Sequence, residues 1–238
     1  MTDAWMPGAE RIPAPADGGC LNGGAPRAVW LLLYANPLVM SARTAAERLI
    51  QLGRPCHLVW NPVSSEVAQL IPVVRAGRAL GWPESQGGPA GQDGLAGINT
   101  EGRVCAQIGV ISQAWWPFTG RSAWRLQEIV SWLDSWQVPR GWPAGRPAKY
   151  PDTGRGGTSG RAAAAGTGPA IRRNWAQGGH FAASQLPGCA AAGAGCIDLE
   201  RLDRDQARAR SARRGGNPAR IAAMTRQPRL TPARSAAP

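Results

Sequence analysis

The chain has 238 residues, 43% of them hydrophobic, which is enough to bury one core with appendages. Its formal net charge is +12, but ten Arg and two Asp in residues 201–238 put +8 of it in the tail and leave +4 for residues 1–200, which excludes a basic face spread over the fold. No apolar run reaches the roughly 18–20 residues of a membrane span, and Met1-Thr2-Asp3-Ala4-Trp5 lacks the basic and apolar regions of a signal peptide. The expectation is a chain made in the cytoplasm, released outside it only by lysis or another route.

Residues 1–26 are rich in Gly, Pro and Ala and read as an N-terminal arm lying over the domain. The run Arg27-Ala28-Val29-Trp30-Leu31-Leu32-Leu33-Tyr34, ended by Asn36-Pro37, predicts a buried strand. Residues 41–52 predict a helix, with capping-box spacing at Thr44 and Glu47, an apolar side at Leu49 and Leu52, and a stop at Gly53. Residues 56–60 and 66–72 predict a hairpin around the turn-forming Asn61-Pro62-Val63-Ser64-Ser65. Residues 83–103 read as a loop and 104–111 as the next strand.

Residues 122–138 give the clearest helical pattern, with Leu126, Ile129, Val130, Leu133 and Trp136 at helical spacing, Ser122 as cap and Pro139 as stop. Residues 140–170 read as a linker or expanded loop. Gly154-Arg155-Gly156-Gly157-Thr158-Ser159-Gly160 within it has no GK[ST] ending and no strand before it, so it is not a phosphate loop. Residues 201–238 alternate Arg, Ala and Pro with few large apolar residues and read as a disordered tail. The order strand, helix, hairpin, strand, helix predicts an α/β fold, a central mixed sheet of about five strands flanked by helices, with residues 27–200 as its domain. Five cysteines, an odd number without CxxC spacing, read as free thiols.

One segment carries more. Gly178-Gly179-His180-Phe181-Ala182-Ala183-Ser184-Gln185-Leu186-Pro187-Gly188, running on to Gly193-Ala194-Gly195-Cys196-Ile197-Asp198, resembles the C-terminal zinc-binding segment of the N-acetylmuramoyl-L-alanine amidases, the type 2 amidase or peptidoglycan-recognition fold. Further anchors in order are Trp5-Met6-Pro7-Gly8-Ala9, Arg27-Ala28-Val29-Trp30, Cys56-His57-Leu58-Val59, Arg75-Ala76-Gly77-Arg78-Ala79 and Asn99-Thr100, so the resemblance covers roughly residues 4–200. It implies an α/β amidase-like domain. In such a domain a zinc ion on three protein ligands activates water to cleave the amide between N-acetylmuramic acid and L-alanine.

The same resemblance places the zinc-ligand positions on Leu31, Ala183 and Gly193, the catalytic carboxylate on Gly109, and a family tyrosine on Cys56. Leu, Ala and Gly side chains have no lone pair for a metal, so the resemblance implies a degenerate amidase that holds no zinc and has no catalytic residues. Peptidoglycan fragments are its implied partners. Trp82, Trp115, Trp116 and Trp142, in loops beside Pro or polar residues, are the candidates for a glycan-facing cleft, whereas Trp124, Trp132 and Trp136 read as helix core.

Two alternatives stand beside this reading. An active zinc amidase can be rebuilt on other ligands, for which His57, His180, Cys189 and Cys196 have suitable side chains but no motif spacing. Alternatively the Arg-rich tail binds an anionic polymer, weakly and without specificity because it carries no interleaved aromatics.

Overall fold

The computed structural model describes residues 2–80, 97–112, 125–145 and 169–187. Among them the chain forms strands β1 (Glu10–Arg11), β2 (Arg27–Tyr34), β3 (Leu58–Trp60), β4 (Val67–Gln69), β5 (Cys105–Ser112) and β6 (Gly179–Ala182). The helices are α1 (Ala42–Gln51), α2 (Leu126–Ser135) and α3 (Pro169–Ala176). The strands make one mixed sheet in the order β1-β4-β3-β5-β2-β6, in which β3 and β4 pair antiparallel and the other neighbours pair parallel. The predicted α/β class is therefore the observed one, with six strands rather than about five.

β2 and β5 form the spine. They pair over eight positions, from Arg27 opposite Cys105 to Tyr34 opposite Ser112, and every residue of β5 is buried. A parallel strand covered on both faces reads as a continuous apolar run, which is the pattern both segments carry. Alternation along β2 then divides the core. Val29, Leu31 and Leu33 face one side, with Val59, Ile111 and the alanines Ala42, Ala45 and Ala46 of α1 packed there, and with Trp175 of α3 and Phe181 nearer β6. Trp30 faces the other side, with Trp60 edge-on at 6.5 Å and the His180 ring stacked on it at 5.9 Å. Asp134 of α2 and Arg140 just beyond it, which form an ion pair with each other, are the charged groups acting on His180.

The ends of the elements have local causes. Ser41 caps α1: its hydroxyl accepts from the Thr44 amide at 3.0 Å, and Glu66 accepts from the Ala42 amide at 2.8 Å. The cap is therefore Ser41 rather than a box of Thr44 and Glu47. The hairpin turn between β3 and β4 is held by the Asn61 carboxamide oxygen, which accepts from the Val63 and Ser64 amides at 2.9 and 3.1 Å. α2 begins after Arg125, at φ 65 and without a side-chain cap, and is followed by Gln137 at φ 59 and then Pro139. The predicted cap Ser122 lies outside the described residues.

The N-terminal arm is part of the sheet and not merely a cover. β1 pairs with β4, the Met6 amide donates to Gln69 Oε1, and the indoles of Trp132 and Trp136 both donate to the Asp3 carbonyl. The segment read as a linker from residue 140 is ordered at its start, where the Gly141 carbonyl accepts from the His180 amide at 2.9 Å. No helix among the described residues is long and apolar enough to cross a membrane.

Candidate functional site

The segment 178–187 turns the chain into the edge strand and fixes a loop beside it. Gly178 and Gly179 have φ of 73° and 104°, and a Cβ on either would sit 2.5 Å from the Pro26 carbonyl or 2.7 Å from the Gly141 carbonyl. Only glycine fits both demands. Gln185 then works at both ends of its carboxamide: Oε1 accepts from the Ala182 amide at 3.0 Å, and Nε2 donates to the Gly145 carbonyl at 2.8 Å. Leu186 is buried in the core with Phe181 and Val29. Each of these residues is explained by the fold it builds.

Sheet register brings several candidate positions together. Leu31 lies opposite Gly109, and Trp30 opposite Ala182; the β2–β6 pairing ends there, and Ala183 begins the 3-10 turn that follows β6. Strand spacing places Leu31 about 5 Å from Gly109. A Cβ on Gly109 would meet Leu33 Cδ1 at 2.8 Å and Cys56 Sγ at 3.4 Å, so the Cys56 thiol and Leu33 occupy the space a side chain at 109 would need. Leu31 packs against both core clusters. Gly193 lies outside the described residues.

The chemistry of this group is that of hydrocarbon and one inert thiol. Burial pushes the Cys56 thiol up to about 12, and its Sγ donates to the Leu58 carbonyl at 3.1 Å, so it is not a thiolate at neutral pH. Leu31 and Ala183 offer a metal no donor atom, and Leu33 fills the place beside Gly109. Among the described residues, no three His, Cys, Asp or Glu side chains stand close enough to share a metal ion.

The two histidines do not come together. His57 is wholly buried beside β5; its Nδ1 accepts from the Gln107 amide at 3.0 Å, so its Nε2 carries the proton and donates to the Arg75 carbonyl at 2.8 Å. Both nitrogens are therefore used. His180 is buried in β6, where Nδ1 accepts from the Trp30 indole at 3.0 Å and Trp142 lies 5.6 Å from its ring. β5 and β2 separate β3 from β6, a gap of about 14 Å at normal strand spacing. Burial lowers both histidines to about 4, against which Asp17 raises His57 slightly and Asp134 raises His180.

Trp142 is half-buried over His180, while Trp82, Trp115, Trp116, Cys189, Cys196 and the tail 201–238 lie outside the described residues. Sequence reading missed a buried polar chain. Gln107 Oε1 accepts from the Ala79 amide and its Nε2 donates to Asn99 Oδ1 at 2.9 Å, while Asn99 exchanges two hydrogen bonds with the Leu80 backbone. The signal was a lone Gln inside an apolar strand, which is costly to bury unless both ends of its amide are used.

Fold and site together define an α/β protein on a mixed sheet, with an apolar patch where β5, β2 and the end of β6 meet. No protein-family model matches the chain, and no curated protein matches it. A crystal structure of a selenomethionine derivative of AmpD is similar over 54% of this chain and 73% of that one, at 12% identity and a TM-score of 0.33. A likeness of that size bears on neither the fold nor the activity.

Proposed function

We propose that this chain is an amidase-like protein of peptidoglycan recognition that has lost zinc-dependent hydrolysis. What supports the reading is one coincidence of sequence and geometry. Positions that the motif equates with the amidase centre are scattered over about 150 residues of sequence, yet Leu31 pairs with Gly109 across β2 and β5, Cys56 Sγ lies beside Gly109, and Ala183 follows directly on the end of β6, which pairs with β2 up to Trp30. At those positions the side chains are hydrocarbon, hydrogen or a protonated thiol, so no Lewis acid is held and no base is at hand to take a proton from water.

On this reading the scaffold keeps a role in binding peptidoglycan fragments. Trp142, held over His180 by a loop that Gln185 fastens, offers a ring for a sugar face. A rebuilt zinc site on His57 and His180 is disfavoured by the uses to which their nitrogens are put and by the strands between them.

The test restores the donors. The triple variant Leu31→His, Ala183→His, Gly193→Asp should bind one zinc ion in a calorimetric titration, and the native chain none. A folded triple variant that binds no zinc overturns the alignment. Sedimentation with insoluble peptidoglycan, with and without residues 201–238, separates binding by the domain from binding by the tail. Binding lost with the tail removed overturns the recognition role.

A further inference from the structure

Three stretches of irregular chain lie together on the sheet's α1 and α3 side and are bonded more to one another than to the strands beneath. The Gly18 amide donates to Ala76 O at 2.7 Å, Ala76 donates to Gly19 O at 3.0 Å, Asn22 to Thr100 O at 2.8 Å, and Gly102 to Gly23 O at 2.8 Å. The Arg75 guanidinium adds a two-toothed ion pair to Asp17, at 2.9 Å on each oxygen. The layer so formed, residues 17–24, 75–80 and 97–103, puts Leu21, Leu80 and Ile98 down onto Val29, Cys105 and Phe181.

Its polar connections to the strands and to α3 pass largely through two places. One is Glu101, whose carbonyl accepts from Arg27 Nη1 at 2.7 Å and whose carboxylate accepts from Arg172 at 2.8 Å and from the Trp175 indole at 2.6 Å; the other is Gln107. Ala79 and Asn99 both bond the Gln107 side chain, and the His57 ring bridges the Gln107 amide and the Arg75 carbonyl. Where the layer runs into β2 and β5 stand Gly23, Gly24 and Gly102, at φ of 82°, 98° and 113°. Short glycine exits of this kind absorb backbone rotation at a hinge.

We infer that residues 17–24, 75–80 and 97–103 form a single cover over the β2–β6 core, latched by Gln107, His57 and Asn99 and by the bonds of Glu101 to Arg27, Arg172 and Trp175, and hinged at Gly23, Gly24 and Gly102, which opens as one unit while the sheet stays folded. Opening uncovers Val29 and Phe181, next to Leu31 and Ala183, and so governs access to the apolar patch from that side. The inference stands whether or not the amidase reading does.

Native-state hydrogen exchange on the full chain, followed by NMR, tests it. The amides of Gly18, Ala76, Ala79, Leu80 and Gly102 should share one opening equilibrium with one urea dependence, both smaller than those of the β2 and β5 amides. Replacing Gln107 by Met should speed all five by roughly ten-fold, the effect of losing a buried hydrogen-bond partner, and leave the Ala45 and Asn61 amides unchanged. Unrelated rates among the five, or rates equal to those of β5, would overturn the cover. The urea dependence of the native chain decides this even if the variant does not fold.

Discussion

Gln107 and Gly77 illustrate how single residues hold this fold. The Gln107 carboxamide is buried at the centre of β5 and satisfied at both ends, and it can lie there only because residue 77 has no side chain. A Cβ on Gly77 would come within 2.3 Å of Gln107 Oε1 and 2.8 Å of its Nε2. The Gln107 amide cannot retreat without abandoning Ala79 and Asn99. We expect Gly77→Ala to destabilise the protein by about 2–4 kcal/mol, the sum of overpacking and an unsatisfied buried amide. Urea unfolding measures it, and a loss below about 0.5 kcal/mol would contradict the packing described. The same logic makes His57 a structural residue. From sequence it is one histidine in an apolar stretch, and only the fold shows that a strand amide and a distant carbonyl use its two nitrogens.

At the scale of elements, legibility followed the strength of the apolar pattern. β2, β5, α1, α2 and the β3–β4 hairpin each carry a run, a helical period or a turn sequence long enough to read, and each formed within a few residues of its expected bounds. Three elements were not legible. β1 is two exposed residues at the sheet edge, fixed only by pairing with β4. α3 buries a single residue, Trp175, so it has no apolar stripe to read. β6 is four residues long, and its GGH sequence pointed to the site segment before it pointed to a strand. The cap of α1 was misplaced because Ser41 and Thr44 are both good capping residues three apart, and only the geometry decides between them. Ser41→Ala should cost about 1 kcal/mol, the usual value of a lost N-cap. Thermal or urea denaturation checks this, and a neutral Ser41→Ala would shift the capping role to Glu66.

The whole molecule should be acid-sensitive. Burial holds His57 and His180 at about 4 in the folded chain, below the usual histidine value of about 6.5, so the native state binds their protons more weakly than the unfolded chain does. Their contribution to stability is complete above about pH 6.5 and is lost as pH falls from there toward 4, levelling off below that. A shift of this size corresponds to about 3 kcal/mol for each histidine. Against a typical total stability of about 5–15 kcal/mol this is a large share. Urea midpoints at pH 7, 6, 5 and 4 should fall steadily, and a flat profile between pH 6.5 and 4.5 would show that one or both rings are solvated in the native state. Of the candidate positions, the motif identified which to compare, and sheet register puts Leu31 opposite Gly109. That Leu33 and Cys56 occupy the space beside Gly109 could not be read without the fold, because it depends on which face of β2 Leu33 shares with Gly109.

The central proposal is that the chain carries an amidase-like frame without its chemistry. The most direct measurement is the release of stem peptide from purified N-acetylmuramoyl-peptide by the full native chain with zinc supplied in excess, followed by mass spectrometry. The account predicts no release above the rate without protein. Zinc-dependent turnover that a chelator abolishes would contradict it.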